Sequence, residues 1–151
     1  MSGTMSVQEL VYEETFQLTG ETHFGIDMQS ALSGAVAIPP EGVRIDVAFA
    51  GELTGKIKGK IAGIDHTLMR ADGAIFLHVH AVITTDDGER ISFFADGTAT
   101  MEPGSPVIQL RENVTLHTAA AKYAWVNRQL FWATGKTDLS TGQATLKGYS
   151  A

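Results

Sequence analysis

Two histidines separated by one residue, His78 and His80, are the side chains best suited to acid–base chemistry near neutral pH. On a β-strand such residues point to the same side, roughly 7 Å apart. They share that side with Phe76, Val82 and Thr84, whereas the opposite side is aliphatic throughout. If the histidines face an enclosed interior, they predict a general acid and base. If they face outwards, they predict a solvated pair or a dimer contact, and the pattern leaves both orientations open.

A strand with the pattern His-x-His also raises the hypothesis of a metal site of the cupin type. Such sites add a glutamate a few residues later, but residues 81–85 contain no carboxylate. We therefore expect no metal and no other cofactor.

Asp65 and His66 follow a glycine-rich segment and form a second candidate pair. Asp65 could act as a base or could orient an imidazole. The alternative is that Asp65 caps backbone N–H groups beside a turn, which is the commoner role of such residues.

Three arginines from separate segments, Arg44, Arg111 and Arg128, could anchor a ligand carboxylate, because the guanidinium fork matches its geometry. Surface or inter-strand ion pairs are the alternative for each.

Residues 123–135 combine aromatic side chains with an amide and a guanidinium, a combination suited to a small aromatic or carboxylated molecule. Tyr123 could donate a proton, and Trp125 and Asn127 could contact the ligand. The same aromatic residues also suit the end wall of a barrel.

Period-two alternation dominates the chain from residue 43 to residue 118 and predicts antiparallel strands with one buried side. Asp86-Asp87-Gly88 between two such runs predicts a hairpin. Residues 30–40 fit an edge strand or a loop, and residues 119–126 fit a short helical turn. The predicted strands span residues 10–18, 43–49, 52–61, 74–85, 90–100, 107–118, 128–134 and 143–149.

About eight to ten short strands in 151 residues predict one all-β domain, a closed antiparallel barrel without exposed strand edges. We assign residues 1–151 to this domain and expect residues 1–6 to be disordered. The net charge of −6 disfavours nucleic acid as a partner, and the chain contains no cysteine. With no recognisable signal peptide and no apolar run of membrane-spanning length, we expect a cytoplasmic protein without a membrane partner.

An ordered set of short motifs resembles the bacterial domain-of-unknown-function 3237 family, also known as uncharacterised protein family 0311, over about residues 8 to 150. No single motif is diagnostic, but their order is fairly specific. The set comprises Gly42-Val-Arg44, Gly51-Glu-Leu-Thr-Gly55-Lys-Ile-Lys-Gly59, Gly63-Ile-Asp65, Arg70-Ala-Asp72-Gly73, Thr85-Asp-Asp-Gly88 and Tyr123-Ala-Trp-Val-Asn127-Arg128 with Gly135 behind it.

The resemblance implies a calycin-like barrel, a homodimer and an enclosed cavity for a small molecule. It also implies cofactor-free lyase or decarboxylase chemistry on aromatic acids. This chain departs from the family at His66, where relatives often have tryptophan, and at His78 and His80, where relatives tend to place an acid and a base. Since relatives keep polar groups at these last positions, the resemblance favours the inward orientation.

We therefore expect a barrel that binds an aromatic or carboxylated apolar molecule, with an arginine as anchor and His78 or His80 moving a proton. Lyase, decarboxylase and isomerase reactions are all compatible with these residues. The alternatives are a non-catalytic binding module and a structural dimer.

Overall fold

Eight antiparallel strands close into one barrel in the computed structural model, which describes residues 8–150. The strands follow one another around the barrel in chain order, and β1 pairs with β8 to complete the circle. The closed barrel predicted from the sequence is confirmed, whereas the disorder expected for residues 1–6 lies outside the described residues. The strands are β1 (Glu9–His23), β2 (Val43–Gly55), β3 (Gly59–Met69), β4 (Ile75–Thr85), β5 (Arg90–Met101), β6 (Val107–His117), β7 (Phe131–Asp138) and β8 (Gln143–Ser150).

Most predicted strands agree with the observed ones, but the strand predicted at residues 52–61 is wrong. The chain turns there, because β2 ends at Gly55 and β3 begins at Gly59. Gly55 has φ +108°, a conformation that side chains rarely adopt, and the next amide donates to the carbonyl of Val11 at 2.8 Å. The buried pattern that suggested one strand is real: Leu53, Ile57 and Ile61 are all buried, with Ile57 on the turn itself.

A short helix, α1 (Met28–Ser33), occupies part of the segment for which the sequence predicted an edge strand or a loop. Asp27 caps it by accepting a hydrogen bond from the Ser30 amide at 2.8 Å, and Gly34 ends it at φ 76°. Six residues are too few for a helical period to emerge from the sequence. No helix within residues 8–150 is long and apolar enough to cross a membrane.

The two ends of the barrel are built differently. The connections at one end, which we call the mouth, include the long segment that carries α1 between β1 and β2. A 3₁₀ helix (Ala121–Arg128) lies at the opposite end, which we call the floor, and confirms the helical turn predicted there. Its Tyr123 and Val126 are buried, so the floor is packed.

Candidate functional site

The two histidines of β4 lie outside the barrel, so the inward orientation favoured in the sequence analysis is wrong. Burial alternates strictly along β4, with Leu77 and Val79 buried and His78 and His80 exposed. The aliphatic side supplies the apolar area that the barrel must bury, and imidazoles in the interior would lose their hydration.

The barrel lumen contains a cavity of about 70 Å³. Such a volume holds about five to seven water-sized groups, which is the scale of a small organic ligand. Among residues 8–150, no lysine, arginine or histidine lines the cavity. Most of its wall is apolar and includes Phe16, Val47, Phe49, Leu77, Phe93 and Leu110.

Three carboxyl groups interrupt this apolar wall: Glu14 from β1, Asp65 from β3 and Glu112 from β6. Glu14 is 3% exposed, and burial raises its pKa from 4.5 to about 8. Burial also raises the pKa of Glu112 well above its usual range, and the charges of Glu14 and Asp65 raise it further. At neutral pH Glu14 is therefore largely protonated and can donate a hydrogen bond, and burial favours the neutral form of Glu112 in the same direction.

Asp65 has a different environment from the two glutamates. Burial raises its pKa, but hydrogen bonds from the His78 amide, at 3.0 Å, and from the Thr67 hydroxyl oppose that rise. The pairing of β3 with β4 is interrupted between the pairs Asp65–Val79 and Leu68–Phe76. The His78 amide therefore has no partner in the sheet there and donates to the Asp65 carboxylate instead. In the described part of the chain, neither glutamate receives such stabilisation of its ionised form. Asp65 is thus the acid most readily ionised of the three.

A buried phenol lies close to these acids. Tyr12 on β1 is fully buried, and its hydroxyl has no hydrogen-bond partner among residues 8–150. Burial raises its pKa well above 10, and the charges of Glu14 and Glu112 raise it further. The ring occupies the space beside Gly148, where a Cβ would overlap it. An unpartnered buried hydroxyl is costly, and Tyr12 does not line the lumen cavity.

Access to the cavity is at the mouth. Leu18, Met28 and Leu139 line both the lumen cavity and a larger groove outside it, which α1 borders with Leu32. Because Met28 is the first residue of α1, a movement of this helix would change the entrance.

The three arginines proposed as anchors lie outside the lumen, so an arginine inside the barrel is not part of this site. Arg44 is on the outer face of β2 and pairs with Asp46 at 2.9 Å. Arg111 is exposed on β6, and Arg128 is exposed at the end of the 3₁₀ helix.

The aromatic run belongs to the floor and does not line the lumen cavity. The Tyr123 hydroxyl donates to Asp87 at 2.9 Å, and Trp125 packs edge-on against Phe131. The Asn127 side chain bridges both backbone groups of Thr118, at 2.9 and 2.7 Å. These residues therefore pack the floor and bind its backbone groups. This is the alternative role, as the end wall of the barrel, that the sequence analysis left open.

On the outer face, His66 joins His78 and His80 in what we call the histidine cluster. The ring centroids of His78 and His80 are 5.1 Å apart, and that of His66 is 6.3 and 5.9 Å from them. The cluster lies on the opposite side of the sheet from the lumen acids. The structure thus places the Asp65 carboxylate and the His66 imidazole, which the sequence had paired, on opposite sides of the sheet.

Of the predicted site residues only Asp65 lines the lumen cavity, and Glu14 and Glu112, which also line it, were missed. The sequence did contain a signal for the two glutamates, since each lies in the alternating series of residues that its strand buries. Glu112 continues the buried series of Leu110 and Val114, and Glu14 follows the parity of Tyr12. A carboxylate at a position that a strand buries marks a functional group more specifically than a conspicuous histidine pair does.

Fold and site together define a small closed β-barrel with a largely apolar lumen that contains three carboxyl groups. The chain belongs to the family described as "Protein of unknown function (DUF3237)", whose model matches residues 21–150. The family resemblance inferred from the motifs is thereby confirmed. No curated protein matches the chain.

Three solved structures share this barrel. A protein of unknown function from Clostridium acetobutylicum ATCC 824 is 23% identical with a TM-score of 0.77, covering 95% of this chain and 97% of that one. A β-barrel-like protein from Acinetobacter baumannii AYE is 17% identical with a TM-score of 0.72, covering 99% of both chains. An enzyme from Penicillium herquei is 18% identical with a TM-score of 0.61, covering 99% of this chain and 98% of that one. At these identities the likeness establishes the fold alone.

Proposed function

We propose that the lumen binds a small, neutral, largely apolar molecule carrying a carbonyl or hydroxyl oxygen, and transfers a proton on it without a cofactor. The observation that carries this proposal is the set of three carboxyl groups in an apolar cavity without a basic side chain among the described residues. Acids with different environments are what acid–base catalysis needs, because one must be ionised while another stays protonated.

The charge of the site narrows the class of substrate. A carboxylate entering the lumen would meet Asp65 and find no cation, so aromatic acids and decarboxylation are disfavoured. A carbonyl oxygen could accept hydrogen bonds from protonated Glu14 or Glu112. Of the lyase, decarboxylase and isomerase reactions considered from the sequence, the site therefore favours an isomerase or lyase reaction at a carbon next to a carbonyl.

In this mechanism the Asp65 carboxylate removes a proton from the carbon beside the substrate carbonyl. The electrons of the C–H bond form a carbon–carbon double bond, and the carbonyl π electrons move to oxygen. Protonated Glu112 donates a hydrogen bond to that oxygen and stabilises the charge that develops there. Return of the proton at another carbon completes an isomerisation, whereas loss of a β-substituent completes an elimination.

One structure with this barrel is described as an enzyme, which is consistent with catalysis in the fold but does not transfer an activity. A binding module without catalysis is the second candidate, because the cavity adjoins an outer groove at the mouth and could simply hold a ligand.

Deuterium exchange tests the proposal directly. Small cyclic ketones and enones are incubated with the protein in D₂O, and loss of the α-proton signal is followed by NMR. We expect exchange above the buffer rate, a reduction of about 10²–10⁴-fold in Asp65→Asn, and no reduction in Glu13→Gln, whose side chain is exposed on β1. Binding of ketones without exchange would establish the binding module instead. Preferential binding of the matching carboxylic acids would contradict the substrate class.

A further inference from the structure

The histidine cluster on the outer face is separate from the lumen and requires its own explanation. The Nε2 atoms of His78 and His80 are 3.3 Å apart. Tetrahedral zinc with Zn–N distances of about 2.0–2.1 Å holds two ligand nitrogens about 3.3–3.4 Å apart. The observed spacing therefore matches two nitrogens that share one metal ion, and it also lies within hydrogen-bond distance.

Carboxylates from neighbouring strands hold two of the imidazoles. Asp96 on β5 accepts from Nδ1 of His78 at 2.7 Å, and Asp46 on β2 accepts from Nδ1 of His66 at 3.0 Å. When these imidazoles are neutral, the carboxylates favour the tautomer that carries its hydrogen on Nδ1, and this tautomer leaves the Nε2 lone pair free. Histidines that ligate metals are oriented by carboxylates in this same way.

The rings are also packed against one another and against an aromatic neighbour. The ring of Phe94 lies 5.1 Å from that of His78 and 4.7 Å from that of His80, edge-on to both. His78 nevertheless keeps 48% of its side chain exposed, so an ion can reach it from solvent.

We propose that His78 and His80 bind a transition-metal ion of the zinc class through their Nε2 atoms, with His66 as the third ligand. In residues 8–150 no three donor atoms already form such a site, so the His66 ring must rotate towards the pair, and the Asp46 side chain must turn with it to keep the hydrogen bond to Nδ1. Neutral imidazole nitrogens select zinc, nickel, copper or cobalt over magnesium and calcium, which prefer oxygen.

The residues of β4 alone do not predict this site, because its other side chains lie on neighbouring strands. The carboxylate ligand of a cupin-type site is absent after His80, whereas Asp46 and Asp96 on the flanking strands orient two of the rings through Nδ1. Strand pairing brings these side chains together, and sequence distance does not reveal it.

Titration of the chelator-treated full chain with Zn²⁺ and Co²⁺ tests the proposal. Calorimetry is expected to give one ion per chain, and Co²⁺ to give the visible absorption of a nitrogen-bound ion. Asp96→Asn is expected to weaken binding by about 10–100-fold. His78→Asn and His80→Asn are expected to weaken it more. The matched control is His117→Asn, which removes an exposed imidazole on β6, outside the cluster.

Circular dichroism of each variant checks the fold, which exposed substitutions are expected to leave intact. Absence of stoichiometric binding by the wild-type protein would overturn the proposal. Binding that persists in both His78→Asn and His80→Asn, or that is lost in His117→Asn, would also overturn it. Because the lumen acids do not take part, failure here leaves the ketone-exchange experiment unaffected.

Discussion

The lumen and the histidine cluster lie on opposite sides of the sheet. Their surroundings shift the pKa values of carboxyl groups in opposite directions. In the lumen, Glu14 and Glu112 have no cationic partner among residues 8–150, and burial makes them weak acids. Outside, partial burial raises the pKa of Asp46, but hydrogen bonds from His66 and Arg44 outweigh that effect and lower it. Residue type therefore does not decide the chemistry of these acids, whereas the side of the sheet on which they lie does.

The largest expected effect is on ketone exchange, which should depend on the lumen and not on the histidine cluster. Asp65→Asn should reduce ketone exchange by about 10²–10⁴-fold, because it removes the lumen base. The double variant His78→Asn/His80→Asn should leave exchange unchanged, because its side chains are outside. NMR rate measurements on both variants check this. If the double variant loses exchange while Asp65→Asn retains it, the assignment of the site to the lumen is wrong.

Two adjacent residues of β4 provide the next comparison. Leu77→Ala should reduce the free energy of unfolding by about 2–5 kcal/mol, because Leu77 is 6% exposed and faces the interior. His78→Ala, one residue further along, should change it by less than about 0.5 kcal/mol. Urea denaturation of the two variants compares them, and equal losses would contradict the orientation of the strand.

A substitution of Glu14 should raise stability in a pH-dependent way. Below pH 4.5 this carboxyl is protonated in both states, and from there to about pH 8 it is ionised only when unfolded. The stability of the wild type therefore falls as pH rises through this window, by 1.36 kcal/mol per pH unit at most. Glu14→Gln should be more stable than the wild type by about 2–3 kcal/mol at pH 7 and by little at pH 4.

The exposed neighbour provides the control for that measurement. Glu13→Gln should show no such pH-dependent gain, because Glu13 is exposed. Thermal and urea unfolding between pH 4 and pH 8 measures both variants. A Glu14→Gln variant that is less stable than the wild type at pH 7 would mean that the glutamate is ionised and paired.

The smallest effect concerns the floor. Asn127→Ala should cost about 1 kcal/mol of stability, because it removes two hydrogen bonds to the Thr118 backbone. Arg128→Ala, at an exposed side chain, should cost less than about 0.5 kcal/mol. Neither should weaken ligand binding by calorimetry. Loss of ligand binding in Arg128→Ala would instead support the hypothesis that an arginine anchors the ligand.

The alternation of side chains predicted the barrel and most of its strands, because closure buries one side of every strand. It did not predict which side of β4 is buried, since both sides of that strand carry apolar residues. Nor could it show that Asp46 and Asp96 would meet the histidines, because strand register decides that contact. Glu112 was recognisable in principle, as an acid in a buried phase of β6. The dimer expected from the family resemblance stays a prediction.

The central claim is that the lumen holds carboxyl groups that are neutral at physiological pH. The most direct measurement is a pH titration of the Glu14 side-chain carboxyl by ¹³C NMR, with Glu14→Gln used to assign its resonance. A pKa of about 8 is expected, because burial opposes ionisation. A pKa near 4.5, the ordinary value, would contradict the claim and remove the protonated acids on which the proposed chemistry depends.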